Sequence, residues 1–145
     1  GELRKLLAVA IHEASHCFNQ FFNKKSIWHK KGIFNGHTRF FRYISGEKIY
    51  KPEQAAYSAI LIEADCERRA LREIKKWTHI IDLQEHLRRS NAYIFSYWHM
   101  LKTKKWSSRS PYDRKIIAHC PDELLKNYNK SEIPKRLAMA FERYL

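Results

Sequence analysis

Apolar residues crowd the first two dozen positions. Leu3, Leu6, Leu7, Val9, Ile11, Ala14, Cys17, Phe18 and Phe21 leave almost no polar face, so residues 2–23 are expected to form a helix buried at the centre of the fold. From 26 to 50 the pattern changes. Ile27, Trp28, Ile33, Phe34, Phe40, Phe41, Tyr43, Ile44, Ile49 and Tyr50 are interleaved with polar residues and punctuated by Gly32, Gly36 and Gly46, which predicts short strands or a hairpin. Pro52 suits the first turn of a helix, and Ala55 to Trp77 continue it without a breaker. A third helix is expected over Asp82 to Trp106, capped by Asp82 and ended by the segment Ser107, Ser108, Ser110, Pro111. Two shorter helices, Asp122 to Tyr128 and Pro134 to Tyr144, finish the chain. The expected class is mainly α with a small β hairpin or sheet, an α+β fold forming a single domain over 1–145.

Composition narrows this reading. With 44% hydrophobic and 14% aromatic residues the chain can bury enough surface to fold, which argues against disorder. Four Gly and four Pro leave little material for the tight turns of an all-β fold. No run of 18 apolar residues exists, and the stretch Leu6 to Ile11 is too short for a signal peptide, so no membrane partner is expected. Cys17, Cys66 and Cys120 are an odd, scattered set without a CxxC pair, which points to a reducing compartment, cytoplasmic or otherwise intracellular. The chain opens on Gly1 rather than Met, so its natural start is left open.

The net charge is +13, unevenly spread. Residues 68–115 hold 13 basic and 4 acidic side chains, whereas 52–67 hold Glu53, Glu63, Asp65 and Glu67 and no Lys or Arg. Glu53 reads as an acid complementing the start of a helix. Glu63 and Glu67 fall inside the apolar stripe Ala56, Ala59, Ile60, Cys66, Ala70, Ile74, one turn apart, while Asp65 points away, either solvated or paired with Arg69.

The most specific motif is His12-Glu13-Ala14-Ser15-His16, an HExxH in the apolar first helix. On a helix, i and i+4 share a face, so both imidazoles can bind one Zn²⁺, and Glu13, about 100° round, can reach the attacking water as general base. Ionisable groups in so apolar a helix would be costly to bury without a partner, and a metal is one. A third ligand is then needed. Glu63 fits that role, with Glu67 accepting the outer N–H of a ligating His; the other reading of these acids is pairing with arginines.

In HExxH at 12–16 and ExxxE at 63–67 the sequence resembles the gluzincin zinc metallopeptidases. That resemblance implies a zincin-like metalloprotease core, Glu63 as third zinc ligand, Glu67 in the supporting position where Asp is common, and hydrolysis of a peptide or protein substrate. The segment Gly36-His37-Thr38-Arg39-Phe40-Phe41 resembles instead the G-H-x-x-x-F of SprT-like proteases, a DNA-associated group, which implies His37 as the third ligand. Relatives of both kinds place a sheet before the HExxH helix, and only eleven residues precede His12.

The basic segment offers a reading from another class: a nucleic-acid-binding protein whose metal site is structural or vestigial. Lys102, Lys104, Lys105 and Arg109 are the expected contacts with nucleic acid or an acidic protein. Tyr93, Tyr97 and Met100, at packing intervals, are expected in the core. His29, His79, His86, His99 and His119 have no evident partner and read as surface or core histidines.

Overall fold

The computed structural model describes residues 1–145 and contains helices and turns but no strand. Six α-helices follow one another: α1 (Glu2–Phe21), α2 (Ile33–Ile44), α3 (Pro52–Ile74), α4 (Leu83–Thr103), α5 (Arg114–Ile117) and α6 (Lys135–Tyr144). Single 3-10 turns at Ile27–His29, Lys75–Trp77 and Lys130–Glu132 join them.

The central helix is α3. Ala55, Ala56, Ala59, Ile60, Ile62, Ala64, Cys66, Ala70 and Ile74 are all buried, because α1, α2 and α4 pack round it. Small residues on its first turns allow α2 to approach closely, and Gly36 lies directly over Ser58. Asp82 begins α4 by accepting the Glu85 N–H at 3.1 Å, as its position before the apolar run led one to expect. From α4, Leu87, Ile94, Phe95, Trp98 and Leu101 close the core with Leu137 and Phe141 of α6.

Three expectations need correction. The hairpin over 26–50 is absent, and with it the α+β class and the zincin-like core: the segment folds as the Ile27–His29 turn and α2. Its inward residues Ile33, His37, Phe40, Phe41 and Ile44, apolar except for His37, recur at i, i+4, i+7, i+8 and i+11, a helical period. Gly32, at φ 83°, is the turn that starts this helix rather than a strand break.

Residues 122–128 are likewise irregular rather than helical. Buried side chains satisfy their backbone instead. Asn91 Nδ2 donates to the Pro121 and Glu123 carbonyls at 2.9 and 2.8 Å, Trp98 Nε1 donates to the Tyr128 carbonyl, and Arg68 donates to the Leu125 and Lys126 carbonyls. The helical turn in this region is α5, earlier in the chain, capped by Asp113.

The first helix is not the centre of the fold. Only Ser15 and Asn19 of α1 are fully buried, while Leu3 is 80% and Phe21 69% exposed. It lies on α3 with Ser15 and Asn19 inward and with Leu7, Ala8 and Ile11 against Ala70, Ile74 and Ile81, while Leu3, Leu6, Val9, Phe18 and Phe21 face outward. That inversion places His12 and His16 against α3.

Candidate metal centre

One helical turn apart on the inner face of α1, the two imidazoles bring their Nε2 atoms to 3.0 Å of each other. Glu63, one of the few charged groups buried in α3, places Oε2 3.3 Å from His12 Nε2 and 3.2 Å from His16 Nε2. A tetrahedral zinc with ligand bonds of about 2.0–2.1 Å holds its donor atoms about 3.3 Å apart, so this triangle has the size of three zinc ligands. The donor set, two imidazoles and a carboxylate, is one that catalytic zinc uses.

The second oxygen of Glu63 accepts from Tyr97 OH at 3.1 Å, and Tyr97 OH lies 3.1 Å from Tyr93 OH. On the far side of His12, Glu67 Oε1 is 2.7 Å from Nδ1. Its Oε2 is 3.2 Å from His86 Nε2, and Ser90 Oγ lies 3.3 Å from that same nitrogen. A carboxylate gripping the outer nitrogen of an imidazole fixes the ring so that its inner nitrogen points to the centre of the triangle.

Electrostatics follow from this packing. Burial alone would push the two carboxyls up, but hydrogen bonds from His12 and His16 hold Glu63 at about 2, and those from His12 and His86 hold Glu67 at about 2. Burial likewise works against protonated imidazoles, yet Cys66 and Glu63 outweigh it and raise His16 to about 10; His12 is raised further, with Glu67 adding to the same partners. Without metal, the two imidazoles are thus set between two carboxylates that raise their affinity for protons.

Cys66 adds a third kind of donor. His12, His16 and Cys66 offer ligand atoms that all lie within 4.8 Å of one another. The thiol donates to the His12 carbonyl at 3.1 Å and sits 3.8 Å from His12 Nδ1. Its place in the inner stripe of α3 was visible in the sequence; its approach to His12 was not.

Glu13 is exposed and borders a cavity of about 440 Å³ between α1 and α4, whose walls include His12, Glu67, His86, Arg89 and Tyr93. Neither carboxylate of the inner pair meets an arginine. His37 stands on α2, its ring packed between Trp28 (5.3 Å) and Phe41 (4.7 Å), and no hydrogen bond joins it to His12, His16 or Glu63. Trp28 also packs on His16, with ring centroids 6.1 Å apart.

His86 was missed in the sequence, where it read as a histidine without a partner. The signal was present: His86, Ser90, Tyr93 and Tyr97 fall at i, i+4, i+7 and i+11, a polar row on the inward side of α4. Asp65 points away from the metal triangle and is half-buried, and it does not pair with Arg69. It accepts from Asn19 and Ser26, and the Arg69 guanidinium lies 3.4 Å from the centre of the Phe18 ring. Of the basic residues expected to contact a partner, Lys102 is tied to Glu142 at 2.6 Å, Lys104 ends α4 in the left-handed conformation, and Lys105 and Arg109 are exposed. No helix is long and apolar enough to cross a membrane.

The chain matches no protein-family model, no curated protein and no solved structure.

Proposed function

We propose that the protein is a zinc-dependent hydrolase that cleaves a peptide bond, with His12, His16 and Glu63 as metal ligands and Glu13 as general base. The observation that carries this reading is the triangle of Nε2, Nε2 and Oε2 atoms at 3.0–3.3 Å. Zinc bound there supplies Lewis-acid polarisation of the scissile carbonyl and of the attacking water.

The chain's own residues do the rest. Glu67 and His86 orient the His12 ring, and Tyr97 fixes Glu63 through its outer oxygen. Glu13, beside His12 at the cavity wall, accepts the proton of the attacking water and returns it to the leaving amine as the C–N bond breaks. With no sheet edge to hold an extended peptide, the substrate lies between the walls of α1 and α4.

A second reading rests on Cys66. If its thiolate joins the two imidazoles and Glu63, the site is closed and structural, in keeping with a basic nucleic-acid-binding protein. The two readings separate in one set of measurements. The hydrolase reading expects about one Zn²⁺ per chain, lost in Glu63→Ala, His12→Ala and His16→Ala but kept in Cys66→Ser and His37→Ala. Glu13→Gln should retain the metal and lose casein hydrolysis by about 10²–10⁴-fold. A thiolate charge-transfer band in the cobalt-substituted protein, with zinc lost in Cys66→Ser, would establish the closed site instead.

A further inference from the structure

Beside the metal triangle, starting from the Trp28 ring that packs on His16, the molecule carries a continuous row of aromatic rings. Phe34 meets Trp28 at 5.8 Å between ring centres, Trp28 meets His37 at 5.3 Å, His37 meets Phe41 at 4.7 Å, and Phe41 meets Trp106 at 5.3 Å. The interior members are half-buried, but the two ends are open to solvent, Phe34 at 53% and Trp106 at 48%. A cavity of about 370 Å³ bordered by His37, Thr38, Phe41 and Arg42 lies along the middle of the row.

Both ends are set in positive charge. Lys24, Lys25, Lys30 and Lys31 are exposed on the turn segment beside Trp28 and Phe34, and none is in an ion pair. At the other end, Lys104, Lys105 and Arg109 flank Trp106 in the chain and are equally unpaired. Between Lys24 and Lys51 the only acid is Glu47, and Arg42 meets it at 2.6 Å. The positive charge of this face is therefore left without an internal counterion.

Unpaired cations along the rim call for a polyanion, and a row of exposed ring edges and faces calls for flat apolar groups between its charges. A single strand of nucleic acid has both: phosphates at regular intervals and bases that stack on aromatic side chains without regard to sequence. A duplex keeps its bases paired and stacked on one another, an anionic membrane surface has no flat groups to offer, and an acidic peptide has them only where an aromatic residue falls rather than one beside every charge. We infer that the face formed by the Ile27–His29 turn, α2 and the Lys104–Arg109 segment binds single-stranded nucleic acid, with bases on the Phe34–Trp106 row and phosphates on the lysines at its ends.

This surface keeps Lys104, Lys105 and Arg109 from the basic residues that the sequence singles out, but not Lys102, which Glu142 engages, and its centre moves to α2. It rests on rings and charges outside the proposed zinc ligands, so it stands whether or not the site hydrolyses anything.

The test uses the full chain and four polyanionic probes: an oligodeoxythymidine of about 16 nucleotides, its duplex with oligodeoxyadenosine, inorganic polyphosphate of equal charge, and phosphatidylserine vesicles. At about 50 mM salt the single strand should quench tryptophan fluorescence and bind at least about tenfold more tightly than polyphosphate. Phe34→Ala should weaken the single strand about tenfold with the salt dependence unchanged, because it removes a stacking partner and no charge. Replacing Lys24, Lys25, Lys30 and Lys31 by Gln should reduce the slope of log K against log salt by about 0.7 for each phosphate that is no longer neutralised. Far-UV circular dichroism identifies variants that remain folded, and Trp106→Phe, which keeps the packing on Phe41, tests the far end of the row. Equal affinity for polyphosphate and the single strand, tighter binding of the duplex or of phosphatidylserine vesicles, or an unchanged affinity in folded Phe34→Ala would each overturn the inference.

Discussion

At Asp65 a single carboxylate oxygen, Oδ2, accepts from Asn19 Nδ2 at 3.2 Å, from Ser26 Oγ at 3.0 Å and from the Ile27 N–H at 3.4 Å. It thereby joins the second half of α1 to the turn that precedes α2, and the two donors Asn19 and Ser26 are almost wholly buried. Helical spacing in the sequence separates Asp65 from Glu63 and Glu67 and so tells which acids face the two histidines. It carries no information on which loop folds over the outward one, because that contact joins residues some forty positions apart. Asp65→Ala leaves Asn19 and Ser26 without an acceptor, and hydrogen bonds to a charged group are worth about 1.5–3 kcal/mol each before cooperativity. The expected loss is about 2–4 kcal/mol of unfolding free energy, read from the urea midpoint. An unchanged midpoint would mean that water replaces the carboxylate without cost.

The elements of the fold differ in how openly the sequence declares them. The long helices α3 and α4 were legible because cap, stripe and breaker agree there: Pro52 and Asp82 open them, and each keeps one apolar side over five or more turns. The α2 segment was not, since its glycines read as turn residues and its helical period is short. Gly32 and Gly46, at φ 83° and 103°, do act in turns, whereas Gly36 serves packing. A Cβ at Gly36 would stand 2.6 Å from Ser58 Cβ and against Ser58 Oγ, which donates to the Gln54 carbonyl on a face where neither helix can retreat. Gly36→Ala therefore sets a gain of about 1 kcal/mol in helix propensity against an overpacking cost of about 1–3 kcal/mol. The expected net result is a lower melting temperature, restored at least in part by Ser58→Gly in the same chain. A higher melting temperature in Gly36→Ala would show that α2 and α3 are further apart than this. The inversion of α1 was hidden for a different reason. Composition ranks its apolar residues as core, whereas the ionisable groups of its inner face are held by partners on α3 that lie some fifty residues further along the chain.

Those partners link the candidate site to the stability of the whole molecule. In the metal-free protein, Glu63 and Glu67 sit at about 2 against an ordinary 4.5, so their contribution is present above pH 4.5 and is lost as pH falls through about 2. His16 sits at about 10 against 6.5, so its contribution is complete below pH 6.5 and is lost as pH rises through about 10. The metal-free protein should therefore be most stable between about pH 4.5 and 6.5, with its melting temperature falling on the alkaline side. Zinc acts in the opposite sense, because it competes with protons for the same imidazole nitrogens and binds more tightly as they leave. The stabilisation that zinc gives, measured as the difference in melting temperature between loaded and chelator-treated protein, should then widen from pH 6 to pH 8. Replacing Glu63 by Gln weakens both effects at once, since the carboxylate that meets both rings is also the third donor of the triangle, while Glu67 still holds His12 Nδ1. A metal-free melting temperature that is level from pH 5 to pH 9 would show that the imidazoles carry no such protons, and that α1 is held to α3 by packing and by Asp65 rather than by this charge cluster.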